Sequence, residues 1–221
     1  LKGLVLKDIY CARTLLILGM LLMAFPNLML LLFGGGMAVG LDNDFIGAIP
    51  YAMLGYSNII WLSTFALNSF ADDESTGWNK LQGTMPVSRG EIVRAKFMFA
   101  LLTVGALTAV TLLSSVFGIV IFEITVEPML TIPLCLALFE ICVLFATIAI
   151  NFRYGTKFSK IAYYAFVTLG TAAMIAMLFA AVNNSNMSLM LRLVFYVGMP
   201  LLTAVVAYIS YRAAITAPTA D

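Results

Sequence analysis

Six apolar runs, each about as long as a bilayer-spanning helix, leave this chain few folds to choose from. They lie at roughly 14–33, 48–71, 97–122, 129–150, 161–182 and 191–211. About 20 apolar residues carry an α-helix across the hydrocarbon core. Open sheet edges cannot face lipid, because their amides would go unsatisfied. The runs therefore predict an all-α integral membrane protein with six transmembrane helices. Composition agrees: of 221 residues, 62% are hydrophobic and 10% charged, and the mean hydropathy is +1.03. A soluble domain has no interior large enough for that much apolar surface. The breaks between runs are short: "GGGMAVGLDND", the charged 72–96 segment, "EITVEP", "NFRYGTKFSK" and "NNSNMS". The chain thus reads as a single transmembrane domain over 1–221, with no soluble domain, long linker or convincing internal repeat. Basic residues flank a full-length span and no small-residue cleavage site is evident, so no cleavable signal peptide is expected.

Charge narrows the function. A net charge of +1 gives no footprint for nucleic acid. The absence of histidine weakens metal, triad and proton-relay chemistry built on imidazole. Cys11, Cys135 and Cys142 form no disulfide framework, and Cys135 and Cys142, seven apart on one helix face, read as small apolar residues. With the N-terminus inside, eleven of the twelve basic residues fall on the cytoplasmic side: Lys2, Lys7, Arg13, Lys80, Arg89, Arg94, Lys96, Arg153, Lys157, Lys160 and Arg212. Arg192 alone falls outside, with Asp42, Asp44, Glu123 and Glu127. The positive-inside rule then places both termini and the 72–96 segment in the cytoplasm.

The opening "LKGLVLKDIYCA" repeats Leu1, Leu4, Val5, Ile9 and Ala12 at helical spacing, with Lys2, Lys7 and Asp8 elsewhere. Residues 1–13 therefore read as an interfacial helix, or as the frayed start of the first span.

The stretch "FADDESTGWNKLQGTMPVSRGEIVRAKF", residues 70–97, is the one long polar stretch. Asp72, Asp73 and Glu74 fall at the end of the second span, where a helix C-terminus disfavours negative charge. They call for cationic neighbours, or for another helix beginning close by. "TGWNKLQG" reads as one or two helical turns closed by Gly83, with Trp78 and Leu81 on one exposed face. Pro86 breaks the chain. "VSRGEI" is a capping box with Ser88 at the N-cap, Glu91 at N3 and Val87 stapled on Ile92, so a helix should run from Ser88 into the third span. Arg94 and Lys96 would then sit at the level of the inner-leaflet phosphates. Trp78 and Leu81 fit two roles: anchors for a partner protein, or a belt tryptophan and its neighbour among headgroups.

At this point the chain resembles the ABC-2 type permeases, and most of all the small six-helix group that includes permease subunits of phenol-soluble-modulin exporters. The resemblance rests on the interfacial helix, the six spans and the motif formed by Asp72, Asp73, Glu74, Gly77, Pro86, Val87, Ser88, Arg89 and Lys96, with Met85 where leucine is usual. It implies that 72–96 carries a cytoplasmic coupling helix between the second and third spans. There Trp78, Lys80, Leu81, Asp72, Asp73, Glu74 and Arg89 would dock a separate cytoplasmic ABC ATPase. It also implies a second copy or homologue, a bacterial cell membrane, and an exporter of hydrophobic or amphipathic cargo, possibly a peptide. The segment after the fifth span is shorter than the outer domain of larger relatives.

No G-x-x-x-x-G-K-[ST] occurs, and "FGGGMAVG" lacks its lysine. ATP and Mg²⁺ would therefore belong to the partner subunit, and no cofactor, metal or catalytic site is expected in this chain. Glu140 is the one acidic residue deep in a span and, with Asn58 and Asn68, is a pathway candidate; Glu140 fits a structural role equally well, and uncharged asparagines in spans more often act as interhelical glue. Pro133 and Pro200 are expected to bend the fourth and sixth helices. Two other functions fit the same residues: a non-transporting immunity or sensor subunit that recruits an ATPase, and an intramembrane enzyme with a divalent cation on Asp72, Asp73 and Glu74.

Overall fold

The computed structural model describes residues 3–14, 17, 64, 67–78, 87–122, 126–183 and 194–217. Every described element is helical. We label them α1 (3–14), α2 (67–75), α3 (Arg89–Phe122), α4 (Val126–Tyr154), α5 (Thr156–Asn183) and α6 (Met199–Thr216). Most of the first two expected spans lies outside the described residues. So do Asn58, Lys80, Leu81, Gly83 and Pro86.

Among the described residues, three helices are long and apolar enough to cross a membrane: Arg89–Leu113, Pro133–Tyr154 and Tyr196–Thr216. The 28 residues of α5 overlap the fifth expected span. α3 begins where its cap predicts. The Ser88 N–H donates to Glu91 Oε2 at 2.9 Å, and the Ser88 hydroxyl donates to the same oxygen at 2.9 Å. One carboxylate thus collects both donors of Ser88. At 34 residues, α3 runs about 50 Å, well beyond the ~30 Å of hydrocarbon. The helix is therefore longer than the apolar layer is thick.

α4 is the central helix and packs against α3, α5 and α6. Two thirds of its apolar window (67%) is buried, against 11% for α6. Its buried residues include Leu136, Glu140 and Thr147 on one face and Cys142, Phe145 and Ala149 on the opposite one, as a helix enclosed by others requires. Phe97 of α3 meets Phe145 of α4 at 4.5 Å and Tyr211 of α6 edge-on at 5.9 Å. Threonine hydroxyls inside the bundle return to their own helix: Thr103, Thr108, Thr111 and Thr147 each donate to the carbonyl four residues earlier. Their polar atoms therefore cost little away from water.

Two connections differ from expectation. "NFRYGTKFSK" is helix on both sides of a single residue, Gly155 (φ +86°), a left-handed backbone that favours glycine. The Gly155 N–H caps α4 on the Asn151 carbonyl at 2.9 Å, and its carbonyl accepts from Ser159 at 3.2 Å. Pro200 lies in the first turn of α6, just after a π-helical turn at Val194–Gly198. A proline at a helix start needs no amide partner, so the chain changes winding there rather than bending mid-helix. The described part of its span runs from Tyr196 to Thr216, and residues 191–193 lie outside the described residues. Pro133 lies inside α4, which continues through it.

Candidate functional site

α1, the end of α2, the start of α3 and the α4–α5 turn meet at one end of the bundle. The acidic cluster organises this meeting, and its three members do different things. Asp72 is exposed, and its carbonyl accepts from the Thr76 N–H at 2.9 Å and the Thr76 hydroxyl at 2.7 Å, which ends α2. Gly77 (φ +70°) then turns the chain away. Asp73 is 4% exposed and faces two ammonium groups. Lys7 of α1 donates to its Oδ1, and Lys96 of α3 lies 2.6 Å from its Oδ2. Glu74 accepts from the Thr156 hydroxyl at the start of α5.

Asp8 completes the cluster. Its Oδ1 lies 3.0 Å from both Lys7 and Lys96, and Lys96 also donates to Ser69 Oγ at 3.0 Å. Two carboxylates and two ammonium groups from three helices thus form a neutral network. All but Lys7 are nearly inaccessible to solvent. Here are the cationic neighbours that the acidic cluster called for. Burial lowers the Lys7 pKa, but Asp73 and Asp8 outweigh it and leave the net shift upward from 10.5. Its share of stability is therefore complete below about pH 10.5 and is lost only as pH rises through the raised value.

Lys96 does not extend outward, as its sequence position suggested, but turns into the protein. It is 5% exposed, with its ammonium 4.8 Å from the Phe70 ring centroid. Asp8 was placed off the apolar face of α1, yet it is 2% exposed and lies four residues before buried Ala12. Leu6 and Tyr10 point away instead. The missed signal was that spacing: one turn before Ala12, Asp8 shares its packed face of α1.

Of the expected docking residues, Trp78 is half-buried rather than exposed, with the Lys7 ammonium 4.8 Å over its ring. Arg89 is half-buried at the start of α3. Trp78 Nε1 and Arg89 Nε are both buried without a hydrogen-bond partner among the described residues. The structure therefore draws Asp73, Trp78 and Lys7 together, while Asp72 faces solvent. A divalent cation on Asp72, Asp73 and Glu74 does not fit this geometry, because Asp73 is committed to two lysines and Glu74 to Thr156.

Glu140 sits apart from this end, fully buried on α4, and accepts from the hydroxyl of equally buried Tyr163 at 2.9 Å. Asn68 is half-buried on α2. Nothing in the residue pattern marked Tyr163 as the partner of Glu140. Tyr163→Phe, which leaves a buried carboxyl short of a donor, should lower stability by about 1–3 kcal/mol. Glu140→Gln keeps an acceptor for Tyr163 and should assemble normally. Thermal unfolding of both in mild detergent distinguishes these outcomes. A loss with Glu140→Gln and none with Tyr163→Phe would mean that the fold needs the carboxyl group of Glu140 for something other than this bond.

Apolar helices of bilayer length, joined at one end by a buried ionic cluster, define an α-helical membrane protein. Residues 3–217 match the family model of the ABC-2 family transporter protein, and the chain belongs to that family. It is thus a permease component of an ABC transporter, a family that normally works with a cytoplasmic ABC ATPase. No curated protein and no solved structure matches the chain.

Proposed function

We propose that this chain is the permease subunit of an ATP-driven exporter in a bacterial cell membrane. It works beside a second copy or a homologue and docks a separate ATPase through the 72–96 segment, with both termini cytoplasmic. The cargo is hydrophobic or amphipathic, in keeping with the resemblance to phenol-soluble-modulin exporters, and a peptide fits that description.

One observation carries the docking reading: Asp73 joins the two flanks of the segment to each other through Lys96 and ties them to α1 through Lys7. A segment mounted in this way can pass force from a bound partner into α2 and α3 together. A freely flexing loop would dissipate it. The second tie, from Glu74 to Thr156, extends the same mount to α5.

Trp78→Ala combined with Leu81→Ala tests the reading. Truncating a docked tryptophan costs about 2 kcal/mol or more, roughly a thirtyfold loss of affinity. The double variant should insert normally yet lose the ATPase during detergent purification, or hydrolyse ATP without transport. Full retention of the ATPase with normal transport would move the docking surface elsewhere, to the 151–160 turn. Because Trp78 also lies under Lys7, Leu81→Ala alone belongs in the comparison; it should show a smaller loss of the same kind.

A further inference from the structure

The α4–α5 turn is basic, aromatic and exposed. Arg153, Tyr154, Lys157 and Phe158 are exposed, and Lys160 is half-buried. Tyr154 and Phe158 show 60% and 62% of their surface, and their rings meet at 6.5 Å. The Arg153 guanidinium lies 5.6 Å over the Tyr154 ring. None of the three cations has a carboxylate partner among the described residues, and the sequence from 151 to 183 contains no acidic residue. Glu74 of α2 reaches this turn, where its Oε2 accepts from the Thr156 hydroxyl.

This cationic end runs directly into an apolar stripe. Phe158, Ile161, Ala165, Thr168 and Ala172 are all exposed and recur every three or four residues along α5. That spacing puts them on one helix face. The Thr168 hydroxyl is satisfied by the Tyr164 carbonyl, so the stripe presents no unmet polar group. Such a face belongs in hydrocarbon. Lys160 lies four residues before Tyr164, about 6 Å along the helix axis. The three cations therefore sit within reach of the layer where hydrocarbon gives way to phosphate.

We propose that the α4–α5 turn binds anionic phospholipid headgroups, with Arg153, Lys157 and Lys160 as the phosphate ligands and Tyr154 and Phe158 as the interfacial contact. Guanidinium matches phosphate with paired hydrogen bonds. Tyrosine holds an apolar ring and a polar tip at the same depth. The continuity of the stripe with the charged turn favours lipid over protein: a docked soluble subunit sits beyond the headgroup layer, whereas these cations directly adjoin the apolar face. The inference rests on the helices being in a bilayer, not on transport or on the identity of an ATPase.

The test titrates phosphatidylglycerol, and separately phosphatidylcholine, into the full-length protein in a neutral detergent and follows thermal unfolding. Phosphatidylglycerol should raise Tm of the parent protein, while phosphatidylcholine and soluble glycerol phosphate should not. In Arg153→Gln/Lys157→Gln/Lys160→Gln the midpoint of that rise should move to roughly a hundredfold more phosphatidylglycerol, since each surface cation contributes about a fivefold factor. Lys157→Gln and Lys160→Gln alone, each shifted about fivefold, keep the test decisive if the triple variant does not fold. An unchanged midpoint in the variants would overturn the proposal. An equal response to glycerol phosphate would make this a free-phosphate site instead. An unchanged lipid response with loss of the ATPase would make the turn a surface for an acidic protein, and would also overturn it.

Discussion

Lys96→Met is expected to destabilise the folded chain by about 3–5 kcal/mol, the range for removing one member of a buried ion pair. Methionine matches the length of the stem, so the loss reads charge rather than volume. Asp8 and Asp73 would be left to share Lys7, whose side chain is 23% exposed and so is partly compensated by water. A second change, Asp8→Asn, restores neutrality and should return most of the loss, making the two effects strongly non-additive. Chemical or thermal unfolding of the purified chain in mild detergent measures all three variants. A cost below about 1 kcal/mol for Lys96→Met would be the behaviour of a solvent-exposed pair, and the network could not then be the joint between α1, α2 and α3.

Gly170→Ala should also be costly, for a reason confined to a few atoms. A Cβ at Gly170 would lie 1.9 Å from Phe139 Cζ and under 3 Å from both Cε atoms. The ring of Phe139 stands end-on against the α5 backbone, and only a hydrogen at position 170 leaves room for it. Either the ring turns out of its seat or α4 and α5 separate. Overpacking of this kind costs about 1–3 kcal/mol. Phe139→Leu in the same chain removes the opposing ring tip and should rescue the alanine variant. If Gly170→Ala alone unfolds at the parent temperature, the ring has space to move and the two helices are not held at this distance by the glycine.

The parts of the fold that depend on local chemistry were legible in the sequence. Ser88 and Glu91 announced the start of α3, because a capping box acts over four residues. The apolar runs at 97–122 and 129–150 marked helices. Asp73 announced that it needed cations, though not which ones. What was hidden depends on partners far along the chain. Lys7 and Lys96 lie 89 residues apart, and no periodicity shows that one carboxylate will hold both. Lys96 was assigned to the headgroup layer because a lysine near the end of a span normally extends toward phosphate; the buried Asp8 and Asp73 outcompete that option. Tyr163 gave no signal either, since a tyrosine in a span is unremarkable until Glu140 is opposite. The "NFRYGTKFSK" stretch looked like a loop because it is polar. Its polarity marks a place at the end of the bundle, while the backbone needs only Gly155 to reverse direction.

Gly155 has a mechanical consequence. Tyr154 and Thr156 end and begin helices with one residue between them, so their Cα atoms are never more than about 7 Å apart. α4 and α5 cannot slide past each other by a full helical turn at either end without unwinding. The pair is left with rocking and twisting about its shared apex, like the legs of a pair of compasses. Any working stroke that passes through these two helices is an angular one, and piston motion between them is closed off by the length of a single residue.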